Sequence, residues 1–359
     1  MGNMENLVTD GTINPKTLRD KFAGAMLGTA VGDALGAPVE GWGCDELNRM
    51  LDGVALLPPA ERALNYAIYG AITGGDLPDG LGRYTDDTQM MIGVAESLAA
   101  QRGFDGEDMA ARFADNFDHA RGYGMGAQIV LKRLRDGVHW QSAADRLFGG
   151  QGSYGNGAAM RVAPVGLFYH TAEELSALRQ VAEGSAGITH THDMGREGAV
   201  LQAAAVAAAV RASTEDIFDP YRFIDDLTTI VREDAPEYLS SCNAVLSLLW
   251  DEPGPEEVSD VLGNGIEAFL SVPSAIYAFL ANHDSFAGAV LFAIRLGGDT
   301  DTIGAMCGAI SGAFHGASAI PKNYLAALEN GARGRDYIAG LSESLFDAWA
   351  AKRAVLRGS

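Results

Sequence analysis

The sequence predicts an all-α fold in one compact domain. Two observations carry this. Apolar residues recur at three- and four-residue steps through nearly every long segment, the period of a helix that buries one face. Convincing alternation of apolar and polar residues, the mark of a half-buried strand, is absent. Heptad runs, low-complexity linkers and fixed-period repeats are also missing, so coiled-coil and solenoid architectures are not indicated.

The elements follow in order. The opening residues are polar and lack the apolar core of a signal peptide. Gly2 follows Met1, but Asn6 does not suit a myristoylation signal. Residues 1–15 are expected to be a flexible segment, and 16–357 the folded domain. Helical spacing first appears over 18–35, and Pro38 should stop that helix. It returns over 88–100, 109–119, 127–135, 173–188, 196–212, 223–233, 238–250, 286–295, 302–314 and 342–355. The longest apolar stretch, about 198–210, is Ala-rich and too short to span a bilayer, so it reads as a buried helix.

Composition narrows the function. Hydrophobic residues make up 47% of the 359 and charged residues 20%, enough for a large core and unlike a disordered chain. The formal net charge of −21 repels nucleic acid and anionic membranes and favours divalent cations, although much of it serves solubility. The three cysteines, Cys44, Cys242 and Cys307, form neither a disulfide framework nor a zinc spacing. They fit a reducing, cytoplasmic compartment.

Two acidic clusters stand at helix starts. Thr85-Asp86-Asp87-Thr88 precedes the helical pattern of 88–100, with Thr85 where an N-cap belongs and both Asp in the first turn. Alone, this is ordinary capping and compensation of the helix dipole. Gly297-Gly298-Asp299-Thr300-Asp301-Thr302 opens the helix of 302–314. Asp299 and Asp301 can present carboxylates to one cation, and Thr302 can add a hydroxyl. Hard cations take such oxygen ligands. Four carboxylates packed together would repel without cations, so the pair of clusters points to metal more strongly than either one. Asp-x-Asp-x-Thr also marks haloacid-dehalogenase phosphatases. There it ends an apolar strand early in an α/β domain; here it lies late in a helical chain.

Glycine, with 45 residues, clusters at expected segment joints beside polar side chains: Gly32/Gly36, Gly80/Gly82, Gly122/Gly124/Gly126, Gly149 to Gly157 and Gly297/Gly298. The loops Arg121-Gly122-Tyr123-Gly124 and Gly152-Ser153-Tyr154-Gly155-Asn156-Gly157 offer backbone N–H groups to a phosphate or pyrophosphate. Ser153 and Asn156 add hydrogen bonding, and Tyr154 or Phe148 can stack on a base. Thr189-His190-Thr191-His192 follows a helix; it is either a solvated or capping pair, or places His190 in a ligand pocket. Glu40 sits on a loop after the first helix, where a carboxylate is solvated unless a metal lies near.

Together these motifs resemble the ADP-ribosylglycohydrolase family. Five occur in the family's order: 32–40 (Gly-Asp-Ala-Leu-Gly-x-Pro-x-Glu), 85–88, 121–124, 152–161 and 297–302. The resemblance covers about residues 21–316. It is greatest to the type 3 ADP-ribosylhydrolases, the branch of serine-linked ADP-ribose and poly(ADP-ribose). The segments 121–126, 152–162 and 268–277 carry that likeness.

The resemblance implies a single orthogonal helical domain with a site for two Mg²⁺ ions, Mn²⁺ being an alternative. Thr85, Asp86, Asp87, Asp299, Asp301 and Thr302 match the metal ligands. Glu40 matches a gating glutamate on a flexible loop. Gly122, Tyr123, Gly124, Gly152, Ser153, Tyr154, Asn156 and His190 match ADP-ribose contacts, with Phe148 and Tyr154 flanking the adenine. Glu40, Asp86 and Asp301 are the expected catalytic carboxylates, with Asp301 or Glu40 guiding the proton of the attacking water. The expected partner is ADP-ribose or an ADP-ribosylated protein, taken by a monomer that binds neither nucleic acid nor membrane. O-acetyl-ADP-ribose is a further expected substrate. Two rivals remain: a hydrolase of arginine-linked ADP-ribose, and a non-catalytic binder like the family's crystallin homologues. The loop of 41–82 bears on the acceptor and matches no motif.

Overall fold

The computed structural model describes residues 14–55, 82–212 and 217–358. Residues 1–13 of the expected flexible segment 1–15 and most of the acceptor loop 41–82 lie outside them, while Asn14 and Pro15 belong to the start of the first helix. The first helix, α1 (Pro15–Gly36), starts with Asn14 accepting a hydrogen bond from the Lys16 N–H and Pro15 in its first turn. It ends in the 3₁₀ turn Ala37–Val39, as Pro38 requires.

The other helices run in chain order. They are α2 (Cys44–Ala55), α3 (Asp86–Gln101), α4 (Gly106–Asn116), α5 (Met125–Arg135), α6 (Ala163–Phe168), α7 (Leu175–Gly187) and α8 (Asp193–Arg211). Then come α9 (Pro220–Thr228), α10 (Pro236–Asp251), α11 (Pro255–Leu262), α12 (Ala268–Ala281), α13 (Phe286–Arg295), α14 (Thr300–His315), α15 (Lys322–Ala327) and α16 (Arg335–Gly358). No strand occurs among the described residues. Two isolated bridges, Gly82 with Leu328 and Gly155 with Glu267, are the only sheet-like pairings there.

Helix α1 is long and apolar enough to cross a membrane, a property the sequence reading assigned to no segment. Its apolar window is 83% buried inside the fold, so its surface is met by other helices. Its chief partner is α14, antiparallel to it. Gly24, Gly28 and Gly32 face Gly312, Gly308 and Gly304, and Gly36 faces Thr300. A Cβ on Gly32 would stand 1.9 Å from the Gly304 carbonyl oxygen, and one on Gly28 2.2 Å from that of Gly308. The two backbones therefore touch. Gly32 and Gly36 were expected at a segment joint; they lie inside α1 and are required by helix–helix contact. This places the end of α1 beside the start of α14.

Several elements differ from the periodicity. Helix α4 starts earlier than 109, because Asp105 accepts from the N–H groups of Glu107 and Asp108. Helix α8 starts at Asp193 because the His192 ring accepts from the Met194 N–H. Helices α2, α6, α11, α12 and α15 had no sequence forecast. In α12 almost every side chain is buried, so there is no polar face to show the period. It also contains Pro273, which leaves the Phe269 carbonyl without its helical donor. The Ser241 hydroxyl donates to that oxygen at 3.4 Å.

Candidate functional site

Two helix N-termini converge beside the end of α1. Thr85 caps α3 and accepts from the Asp87 N–H. The segment before it is held from the side: Arg121 stacks over the Tyr84 ring, donates to the Tyr84 carbonyl at 2.7 Å and pairs with Glu329. From below it is held by Asp33, whose carboxylate accepts from the Thr85 N–H at 2.9 Å, the Thr88 N–H at 3.1 Å and the Thr88 hydroxyl at 2.5 Å. Asp33 is fully buried. It lies within the motif of 32–40, where no local pattern assigns it a role. The signal was available: a carboxylate inside an apolar helix needs partners.

The second acidic segment begins with Gly297 and Gly298, both left-handed at φ 72° and 70°, where a side chain would be strained. The Gly298 N–H donates to the Trp42 carbonyl and its carbonyl accepts from the Gly41 N–H, both at 2.8 Å. The turn that carries Asp299 is thus tied to the chain just after Glu40. Carboxylate oxygens of Glu40, Asp299 and Asp301 come within 4.8 Å of one another.

Burial and like charge govern this cluster. Burial, then the neighbouring carboxylates, push Asp86 up to about 7 and raise Asp87 and Asp301 well above the usual range. Asp33 is pushed by burial up to about 6, against the pull of its hydrogen bonds. Glu40 is raised by burial and by Asp299. One oxygen of Asp87 is buried with no hydrogen-bond partner. An orphaned carboxylate oxygen amid acidic side chains and threonine hydroxyls is what a hard divalent cation would satisfy. The residues present therefore fit such a group.

A cleft of about 300 Å³ opens over the cluster, at the small end of ligand-sized cavities. Its lining includes the acidic and hydroxyl residues Glu40, Thr85, Asp86, Asp87, Asp299, Asp301 and Thr302. It also includes Gly122, Gly124, Phe148, Ser153, Asn156 and His190. These thirteen of the expected site residues share one wall system. Phe148 is 61% exposed and sits in a left-handed conformation at φ 50°. Gly126 packs against its ring.

Three expected residues sit differently. The Tyr123 ring is buried against Phe117, and its hydroxyl donates to Gln89. Tyr154 lies outside the cleft lining, edge-on to His192 with ring centroids 5.7 Å apart. Gly152 has φ 79°, and a Cβ there would stand 2.2 Å from the Thr191 hydroxyl, so it serves a tight turn. Asn156 lines the cleft, but its amide nitrogen donates to Asp299 at 2.6 Å and to the Ser271 hydroxyl at 3.0 Å. In this geometry it holds a carboxylate of the acidic cluster. Met90, Met125, Gly126, Met160, Thr189 and Ile266 also line the cleft and were not forecast.

The ADP-ribosylglycohydrolase family profile matches residues 14–354. The chain belongs to the ADP-ribosylglycohydrolase family. The match runs beyond the motifs at both ends, taking in α16. The ADP-ribosylhydrolase ARH3 of Mus musculus is 36% identical over 335 residues, covering 85% of this chain and 86% of its own. The Homo sapiens protein of the same name is 35% identical over 85% of this chain and 88% of its own. A solved structure titled "ADP-ribosylglycohydrolase-related protein complex" superposes with a TM-score of 0.66 at 28% identity, covering 93% of this chain and 99% of that one. As an ADP-ribosylglycohydrolase, the protein is a hydrolase acting on glycosidic bonds. Its acidic cluster fits the divalent-metal site that the family suggests.

Proposed function

We propose that this protein is a Mg²⁺-dependent ADP-ribosylhydrolase that frees ADP-ribose from serine on modified proteins. The observation that carries the reading is the convergence of two acidic helix starts on one cleft, whose lining also includes an exposed aromatic ring and glycine-rich turns. The likeness to proteins named ADP-ribosylhydrolase ARH3 supports the release of ADP-ribose.

In this reading Thr85, Asp86, Asp87, Asp299, Asp301 and Thr302 hold two cations. When bound, these would supply Lewis acidity and lower the pKa of water. Asp33 and Asn156 keep two of the carboxylate-bearing segments in place. Phe148 stacks on the adenine, and the glycine-rich turns and Ser153 receive the pyrophosphate. As the bond between the anomeric carbon and the serine oxygen breaks, positive charge on the ribose is stabilised by the surrounding carboxylates. Water adds to the anomeric carbon, and Glu40 or Asp301 takes its proton. The serine oxygen leaves as a hydroxyl, and its proton balances the one that water gives to Glu40 or Asp301, so one water is consumed for the one bond broken.

Glu40 stands at the cleft edge with an exposed side chain and would move aside to admit substrate. Rotation of the side chain leaves the backbone bonds of residues 41 and 42 to Gly298 intact, whereas movement of the whole loop breaks them. The monomeric, intracellular reading also stands as a proposal, its intracellular part resting on three cysteines that are free. The test is a side-by-side assay of serine- and arginine-linked ADP-ribose peptides, each with Mg²⁺ and with chelator. Faster release from arginine would overturn the acceptor. Undiminished release in chelator would overturn the metal.

A further inference from the structure

Behind the cleft wall lies a buried cation that the proposed reaction does not use. Arg161 is 0% exposed, and no carboxylate among the described residues pairs with it. Its guanidinium stacks on the Phe113 ring, 4.5 Å from the centroid. One terminal nitrogen donates to the Ser185 carbonyl and to the Thr189 hydroxyl, both at 2.9 Å. The other meets the Met90 sulfur at 3.4 Å, and its Nε has no partner. A buried arginine is costly unless its hydrogen bonds do something specific.

The Thr189 hydroxyl is the link outward. Its oxygen stands 2.7 Å from Nδ1 of His190, and both side chains are buried. An arginine only donates, so the Thr189 oxygen accepts from it. The hydroxyl has one proton, and Nδ1 of His190 is the acceptor within reach. Nδ1 then accepts, and the ring proton resides on Nε2. The Nε2 edge faces the cleft. A Cβ on Gly157 would lie 3.1 Å from it and one on Gly155 3.7 Å, so these glycines leave room for the ring edge.

We propose that Arg161, acting through Thr189, fixes His190 in the tautomer protonated on Nε2, making it a permanent neutral hydrogen-bond donor to an oxygen of the bound ligand. Arg161 and Thr189 are positioning residues, and this use of His190 rests on the reading of the cleft as an ADP-ribose site. Burial supports the ring's neutrality, pushing His190 down to about 3. It brings Arg161 down to about 9, which leaves it protonated at neutral pH. A histidine free to exchange tautomers would present a donor only part of the time. The fixed one loses no energy in choosing when an acceptor arrives.

The decisive measurement is ¹⁵N NMR of ring-labelled histidine in the ligand-free protein, with His190 assigned by His190→Gln. A protonated Nε2 and an unprotonated Nδ1 are expected. In Thr189→Val and Arg161→Met the ring should show a mixture of tautomers, and Thr189→Ser should restore the single form. The affinity for ADP-ribose, read by calorimetry, should fall about 2- to 12-fold in Thr189→Val, the worth of one hydrogen bond, and recover in Thr189→Ser. A wild-type His190 protonated on Nδ1 overturns the proposal, as does a Thr189→Val protein whose tautomer is unchanged. Should either core variant fail to fold, the other carries the comparison, and a wild-type ring protonated on Nδ1 still overturns the proposal. The spectrum needs no ligand: a protein that does not bind ADP-ribose would defeat the functional reading and leave the tautomer to be judged on its own.

Discussion

Replacing Gly32 by alanine drives a methyl group into the backbone of the facing helix. The new Cβ would stand 1.9 Å from the Gly304 carbonyl oxygen, 2.3 Å from its carbon and 2.8 Å from the Ala305 nitrogen. All three are backbone atoms, so no side chain can turn away. Ordinary contact starts near 3.4 Å, and α1 and α14 must therefore part by about 1.5 Å. Overpacking of this kind costs about 1–3 kcal/mol. At roughly 2–4 °C per kcal/mol for a large domain, the melting temperature should fall by several degrees. The displacement also separates Asp299 and Asp301 on one helix from the elements docked on the other. Metal ligands tolerate only about 0.2 Å of error, so Mg²⁺ affinity should drop even where the variant folds. The assays are thermal denaturation with and without Mg²⁺, calorimetric titration of Mg²⁺, and ADP-ribose release. Gly340→Ala is the control. Gly340 is an exposed glycine in α16 with nothing within 4 Å of its Cβ position. There alanine should stabilise by about 0.5–1 kcal/mol through helix propensity. If Gly32→Ala melts with the wild type and binds Mg²⁺ as tightly, the backbone contact is not what holds the two acidic turns together.

Three further outcomes are expected. Asp86 is raised to about 7 and Asp87 and Asp301 well above the usual range, so in chelator their contribution to stability is present below about pH 4 and lost as pH rises through these raised values, for Asp86 about 7. Mg²⁺ should cancel this loss, and the gap between the Mg²⁺-bound and chelated melting temperatures should widen from pH 4 to 7; a constant gap would refute it. The buried histidines shift stability the other way but act equally in both samples. Asp33→Ala removes the acceptor of two backbone N–H groups at the start of α3, and should cost about 1–3 kcal/mol in urea denaturation after relief of like-charge repulsion. Asp33→Asn, which keeps one oxygen, should lose less, and an Ala variant as stable as wild type would free Asp33 of this role. Phe148→Ala should weaken ADP-ribose binding by about 1–3 kcal/mol, the worth of a base–aromatic stack, with little change in fold because the ring is exposed. Equal affinity by calorimetry would place the adenine elsewhere.

Much was legible before any coordinates. Helical spacing marked eleven segments, all of which carry helix in the structure. Thr85 as a cap and Pro38 as a stop follow from local chemistry alone, and both hold. The acidic residues and the glycine-rich turns could be named because their types declare oxygen ligation and unusual backbone. Where periodicity failed, burial was the cause. Helix α12 is enclosed on all sides, so it has no polar face to display.

What only the tertiary structure decided is proximity and commitment. Gly32 reads in sequence as a joint, and only the facing Gly304 reveals a backbone contact inside two helices. Asn156 reads as a ligand contact, and only the approach of Asp299 shows its amide engaged with a carboxylate. Asp33, Arg161 and Thr189 have partners 24 to 55 residues away, beyond any local pattern. The sequence by itself determined which groups have the chemistry to ligate a cation and which amphipathic segments are helical. Packing decided which of those groups face one cleft, because the helix–helix contacts that bring Asp87 beside Asp301 join residues over two hundred positions apart.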